Sequence, residues 1–133
     1  MLEKPKKTKK RKIERGERIN YDNCYLCENM ERISPESSHT QLHEAYFSAD
    51  RQLSILYGMV FELCDKHHDT RSLFSPHRNR AIDLYLKKEA QKHFIRERDF
   101  EMFMSVFGKN YLTDAELELL NLETEAERRN NES

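Results

Sequence analysis

The second half of the chain carries apolar residues at the spacing of an α-helix. From Asn79 onward these residues recur every three or four positions, and lysine, arginine and glutamine occupy the positions between them. The apolar face comprises Ile82, Tyr85, Leu86, Ala90, Phe94 and Ile95. A second, shorter helical face follows, formed by Phe100, Phe103, Met104 and Phe107. Gly108 is a typical residue to end that helix.

Two compact apolar stretches earlier in the chain predict β-strands. Residues 41–47 combine aliphatic and aromatic side chains, and residues 59–63 form a short continuous apolar run. Between them, residues 52–57 predict a short helix that ends before Gly58. Together with the later helices, these elements predict an α+β fold.

The C-terminal end predicts one further helix. Thr113 and Glu116 have the spacing of a capping box, which predicts a helix over residues 113–122 followed by a frayed acidic tail. The N-terminal end is polar and contains Pro5 and Gly16, which predicts disorder. The chain therefore divides into three predicted segments: a basic arm (1–18), a zinc-binding domain with a helical extension (19–112), and a short helix with an acidic tail (113–133).

Composition limits the size of the core. Of 133 residues, 37% are hydrophobic and 35% charged, so one domain with a small core is expected, of the kind often stabilised by a metal ion or a partner chain. No apolar run approaches the ~20 residues that span a bilayer. No apolar segment follows the N-terminal lysines, so no secretory signal is expected either. The predicted location is cytoplasmic, with no membrane partner.

The formal net charge of −1 hides an uneven distribution. Residues 1–18 carry nine Lys/Arg and three Glu, giving +6, whereas residues 113–133 carry two Arg and seven Asp/Glu, giving −5. A basic arm can neutralise phosphates and bind nucleic acid in a salt-dependent way. A solvated tail that keeps the protein soluble explains the same charges, and both interpretations stay open.

Three cysteines point to a metal site. Cys24-x-x-Cys27 is followed about 36 residues later by Cys64-x-x-His67. Thiolate and neutral imidazole suit tetrahedral Zn²⁺, and four such ligands make a closed, structural site. The alternatives are ordinary buried thiols or a redox dithiol, but a redox C-x-x-C usually opens a helix after a strand of a βαβ unit. Because two residues separate Cys64 from His67, as in the first pair, the spacing favours His67 over His68 as the fourth ligand.

Four further groups could form a second site. His43 and Glu44 lie in the first predicted strand, His68 follows the second, and His77 lies beyond a polar loop. If the first strand packs against the segment after Leu63, these groups could hold one divalent cation and a general base. Such a site can hydrolyse phosphodiesters, because the base activates water and the metal stabilises the developing charge.

The succession of these motifs resembles the HNH (His-Me finger) endonucleases, in particular small phage-encoded proteins of that type. The resemblance spans about residues 24–112. It is carried by these motifs: Cys24-x-x-Cys27, His43-Glu44-Ala45-Tyr46-Phe47, Leu63-Cys64-x-x-His67-His68, Gln91-x-x-Phe94 and Phe107-Gly108-Lys109-Asn110-Tyr111-Leu112.

The resemblance implies a ββα-metal core with a zinc knuckle and C-terminal helices, and cleavage of DNA with Mg²⁺ or another divalent ion. It places His43 and Glu44 at the adjacent ligand and base positions, and His68 and His77 at the remaining ligand positions. The sequence departs from the family pattern at Glu44, because histidine is usual at the base position. A glutamate is a weaker base at pH 7 unless its pKa is raised. The alternative is that His43 itself is the base, with Glu44 a ligand or a structural group.

Three functional hypotheses follow. The first is a metal-dependent DNA endonuclease of the HNH type that acts in DNA recombination or processing, in the host cytoplasm if phage-encoded. The second is a catalytically degenerate, zinc-stabilised protein that binds DNA or acts as an adaptor. The third is a redox dithiol protein using Cys24 and Cys27. Met102, Met104 and the phenylalanines near them are expected in the core or at a subunit contact, which would allow a homodimer.

Overall fold

The computed structural model describes residues 18–34 and 39–132, and its elements form a small α+β protein. Two strands, β1 (Thr40–Glu44) and β2 (Val60–Cys64), pair antiparallel. The helices are α1 (Tyr25–Asn29), α2 (Arg51–Tyr57), α3 (Asp65–His68), α4 (Arg80–Glu97), α5 (Phe100–Phe107) and α6 (Asp114–Glu132), and a 3-10 turn (Ser48–Asp50) precedes α2. The predicted α+β class is confirmed. The basic arm before residue 18 lies outside the described residues, and the division into three segments stays a prediction.

Strand β1 is shorter than the predicted span 41–47, and the side chain of Ser54 explains why. Ser54 is fully buried in α2. Its Oγ donates to the carbonyl of Tyr46 at 2.6 Å and accepts from the N–H of Tyr46 at 3.0 Å. The backbone of Tyr46 is thus satisfied by a side chain instead of by β2, so strand pairing ends before it.

Helix α2 returns the chain to the sheet. It ends at Gly58, whose φ of 78° is the left-handed conformation that glycine adopts most easily. The N–H of Met59 then bonds to the carbonyl of Ser54 at 2.8 Å. Met59 therefore belongs to this turn, and β2 begins one residue later than predicted.

An aromatic core joins the sheet to α4 and α5. The predicted apolar face of α4 is buried except for Tyr85, which is half-buried. Phe94 packs its ring 5.4 Å from that of Phe103, centroid to centroid. Phe103 in turn lies 5.0 Å from Phe107, and Tyr46 lies 4.7 Å from Phe107. Burying a phenylalanine side chain contributes about 1.5–3 kcal/mol to the stability of the fold. This cluster therefore holds α4 and α5 against the segment after β1 that contains Tyr46.

Helix α6 starts where the capping box predicted and runs further than expected. The N–H of Thr113 donates to Glu116, and the N–H of Glu116 donates to the hydroxyl of Thr113. The helix continues to Glu132 instead of ending at residue 122. Glutamate, alanine and arginine favour helix in the added segment, and Glu123 pairs with Arg96 of α4 at 3.6 Å.

In the described part of the chain, no helix has both the length and the apolar content needed to cross a membrane.

Replacing Ser54 with alanine should lower the free energy of unfolding by about 2–3 kcal/mol, because two buried backbone groups of Tyr46 lose their partner. Urea denaturation measures the change. Ser105→Ala, at an exposed position on α5, is the control and should stay within about 0.5 kcal/mol of the parent. Equal effects of the two substitutions would contradict this role of Ser54.

Candidate functional site

Three thiols and one imidazole converge in the interior. Cys24 caps the start of α1, Cys27 lies inside it, Cys64 ends β2, and His67 lies in α3. All four side chains are buried, and their ligand atoms lie within 4.8 Å of one another. The two sequence motifs thus meet at one point, although 36 residues separate them in the chain.

The spacing of these donor atoms is that of a tetrahedral zinc site. Sγ of Cys27 lies 3.8 Å from Sγ of Cys64. Nδ1 of His67 lies 3.3, 3.6 and 3.4 Å from the Sγ atoms of Cys24, Cys27 and Cys64. Zinc bond lengths of about 2.3 Å to sulfur and about 2.0–2.1 Å to nitrogen separate tetrahedral donors by about 3.8 Å (S to S) and about 3.6 Å (S to N). The donor set and its dimensions therefore fit a structural Zn²⁺.

The state of the thiols agrees with metal binding better than with redox exchange. All three cysteines are free thiols. Burial raises the pKa of the Cys24 and Cys27 thiols, whereas exchange-active cysteines have a lowered pKa and an accessible sulfur. A thiolate in this interior needs a neighbouring cation, which Zn²⁺ would supply.

Glu31 orients the histidine of this cluster, and the sequence interpretation missed it. Nε2 of His67 lies 2.9 Å from Oε2 of Glu31, and Nζ of Lys66 lies 3.1 Å from Oε1. Burial raises the pKa of Glu31, but the hydrogen bonds from His67 and Lys66 outweigh it and the net pKa is lowered. An ionised carboxylate on Nε2 fixes the tautomer that leaves Nδ1 free for a metal. No motif in the sequence distinguishes Glu31 from the other glutamates.

A second group consists of His43, His68 and His77. One ring nitrogen of each lies within 4.8 Å of the others. The ring centroids are 6.2 Å apart for His43 and His68, 5.2 Å for His43 and His77, and 5.8 Å for His68 and His77. His43 is only 2% exposed, and its Nε2 has no hydrogen-bond partner among the described residues. A buried nitrogen without a partner is unfavourable unless something else binds it.

Helix α3 connects the two groups, because its consecutive histidines serve different ones. His67 lies in the Cys3His cluster and His68 lies beside His43. His77 is brought back by a series of tight turns over residues 69–79, in which its N–H donates to the buried hydroxyl of Ser75 at 3.1 Å. These turns allow the predicted loop to fold back onto β1.

The environment favours the neutral form of two histidines of the second group, His43 and His77. Burial lowers the pKa of His43 to about 3, and the neighbouring charges of His77, His68 and Lys87 act in the same direction. The pKa of His77 is also lowered, by burial first and by His68 second, with partial compensation from Asp83 and Glu44. Neutral imidazole is the form that binds metal ions.

Glu44 lies outside the three-histidine group. Adjacent strand residues face opposite sides, and Oε1 of Glu44 lies 3.5 Å from Nε of Arg51. It borders a hollow of about 470 Å³ together with Leu42 and Arg51, while its charge still acts on His77. The role of Glu44 as a base therefore stays a prediction.

Comparison with known proteins does not assign the chain to a group. No protein-family model matches it, and neither a curated protein nor a solved structure shows a match. What the structure defines is a class of site: a buried Cys3His cluster beside an antiparallel strand pair and a short helix, which is compatible with a zinc-binding ββα-like motif.

The Cys3His cluster of the purified chain should hold one tightly bound Zn²⁺. Glu31→Gln should weaken zinc binding there about 10–100-fold, the range typical for such outer partners. Competition with a colorimetric chelator measures the affinity. Glu101→Gln, at an exposed position on α5, is the matched control. Unchanged affinity in Glu31→Gln would contradict the orienting role, and a chain folded without zinc in reducing buffer would overturn the zinc assignment.

Proposed function

We propose that this protein is a metal-dependent DNA endonuclease of the HNH type, which hydrolyses phosphodiester bonds during DNA recombination or processing in the cytoplasm of a phage-infected host. The observation that carries the proposal is the three-histidine group, with the buried and unpartnered Nε2 of His43. The resemblance of the sequence motifs to that family supports it, and so does the position of the group between β1 and α3.

Cys24, Cys27, Cys64 and His67 would hold a structural Zn²⁺, with Glu31 orienting the histidine. This closed set offers no open position for a substrate. Its contribution is to hold α3 against β2, and so to keep His68 in place beside His43.

His43, His68 and His77 would hold the second divalent ion. The ion would supply charge stabilisation at the phosphate and a lowered pKa for bound water. Three imidazoles suit Ni²⁺, Fe²⁺ or Zn²⁺, whereas Mg²⁺ prefers oxygen ligands. The donor set therefore favours a transition metal over Mg²⁺, within the broader expectation of a divalent cation.

Glu44 and His43 are the two candidates for the general base. The low pKa of His43 makes its imidazole a weak proton acceptor, which favours it as a ligand. The carboxylate of Glu44 lies near Arg51, and its side chain is 21% exposed. Water can therefore reach the carboxylate. The low pKa thus favours metal binding for His43. Proton removal by Glu44 would require its carboxylate to turn from Arg51 toward the three-histidine group.

The second candidate function is a zinc-stabilised protein that binds DNA or acts as an adaptor without cutting. The position of Glu44 outside the three-histidine group favours it, because a cluster without a base beside it could bind an ion and lack turnover. DNA is the proposed partner in both cases, and a homodimer stays a prediction.

Plasmid DNA should be cleaved with Ni²⁺ or Co²⁺ faster than with Mg²⁺ at equal concentration, and His43→Ala, His68→Ala and His77→Ala should each abolish cleavage. Calorimetric titration of the zinc-loaded protein with Ni²⁺ should show one site that these variants lose. The control is His39→Ala, whose exposed ring lies outside both groups and beside Asp65. Metal binding by the parent without any nicking would favour the adaptor function, and unaffected cleavage in the three variants would refute the site.

The substitution Glu44→Gln tests the role of Glu44 as the general base separately from metal binding by the histidines. The amide cannot accept the proton, so the cleavage rate should fall by about 100-fold or more, while the Ni²⁺ titration stays that of the parent. Glu118→Gln, at an exposed position on α6, is the control. An undiminished rate in Glu44→Gln would remove Glu44 from the mechanism.

A further inference from the structure

Three cations lie along a groove on the surface of α4. It has a volume of about 510 Å³ and runs between the first half of α4 and the segment after α5. Its lining includes Arg80, Asp83, Leu84, Lys87, Lys109 and Tyr111. Three cations and one carboxylate give these residues a charge of +2, in a chain whose net charge is −1.

Two of the groove cations are available for a ligand. Arg80 and Lys109 are exposed, and among the described residues neither has a carboxylate within ion-pair distance. Lys109 lies 5.2 Å from the ring centroid of Tyr111. Lys87 is instead paired with Asp83 at 2.5 Å. Exposed cations along a groove are the usual means of binding a phosphate backbone.

The wall that carries Lys109 is held rigidly. Gly108, with φ of 76°, turns the chain out of α5. The fully buried Gln91 of α4 then donates to Oδ1 of Asn110 and accepts from the N–H of Tyr111, both at 2.8 Å. Tyr111 stacks on Tyr46 with centroids 5.4 Å apart. The two sides of the groove therefore keep a fixed separation without a ligand, which lowers the entropy lost on binding.

Lys87, which lines the groove, is linked to the histidines through the ring of Phe47. Nζ of Lys87 lies 4.5 Å from the ring centroid of Phe47. That ring lies 6.0 Å from His43 and 5.9 Å from His77. A strand lying in the groove would thus continue past Lys87 and Phe47 to the three-histidine group.

We propose that this groove binds the phosphodiester backbone of the nucleic acid and directs it to the three-histidine group, with Arg80 and Lys109 each contacting a phosphate. The inference rests on the proposed function for its substrate class. It adds a binding surface for that substrate, made by α4 and the segment after α5.

The test is the salt dependence of binding. The full zinc-loaded chain is titrated into fluorescent oligonucleotides, single-stranded and duplex, without an added second metal. In the double variant Arg80→Ala/Lys109→Ala, the slope of log K against log[salt] should become shallower by about 1.8 for duplex or about 1.4 for a single strand. The oligonucleotide, single-stranded or duplex, whose slope decreases by the expected amount is the form that the groove binds.

The control removes the same charge elsewhere. Arg96→Ala/Arg128→Ala eliminates two exposed cations outside the groove and should leave the slope near that of the parent. Equal slopes in the two double variants would overturn the groove, and so would a parent that binds neither oligonucleotide. A shallower slope in the groove variant, in a parent that cuts no DNA, would support the groove and refute the nuclease function alone.

Discussion

The meeting of three thiols and one imidazole in the interior is the constraint on which the rest of the structure depends. Two strands alone are marginally stable in water, and helices as short as α1 and α3 do not form in isolation. The Cys3His cluster joins α1, the end of β2 and α3 at one point. Zinc binding at such sites supplies about 10–16 kcal/mol, which is large beside the usual stability of a small domain.

The second group of histidines depends on the first through a single turn of helix. Because α3 has four residues, fixing His67 in the cluster also fixes His68, which must leave the helix in a different direction. The register of β1 against β2 places His43 opposite Phe61, on the side where His68 lies. The hydrogen bond of His77 to Ser75 completes the group. The buried Cys3His cluster thus determines the position of the more exposed three-histidine group.

The C-terminal helices contribute more than a cover for the sheet. The aromatic contacts of Phe94, Phe103 and Phe107 anchor α4 and α5 to Tyr46, just beyond the strand that carries His43. Gln91 then uses both ends of its amide to fix the segment after α5. A fully buried polar side chain is stable only when its hydrogen bonds are made, so Gln91 also determines where the basic and aromatic side chains of that segment lie.

Local chemistry in the sequence determined the longer helices and the four members of the Cys3His cluster. The three-to-four spacing from Ile82 to Ile95 predicted α4, and the capping box of Thr113 and Glu116 predicted the start of α6. The C-x-x-C and C-x-x-H motifs predicted which four donors would meet. Each of these patterns is complete within a few residues, so it can be recognised without the fold. Only the tertiary structure decided the rest. Ser54 ended β1 early, Glu31 became the partner of His67, and Glu44 turned toward Arg51, because each outcome depends on groups that folding brings together from distant parts of the chain.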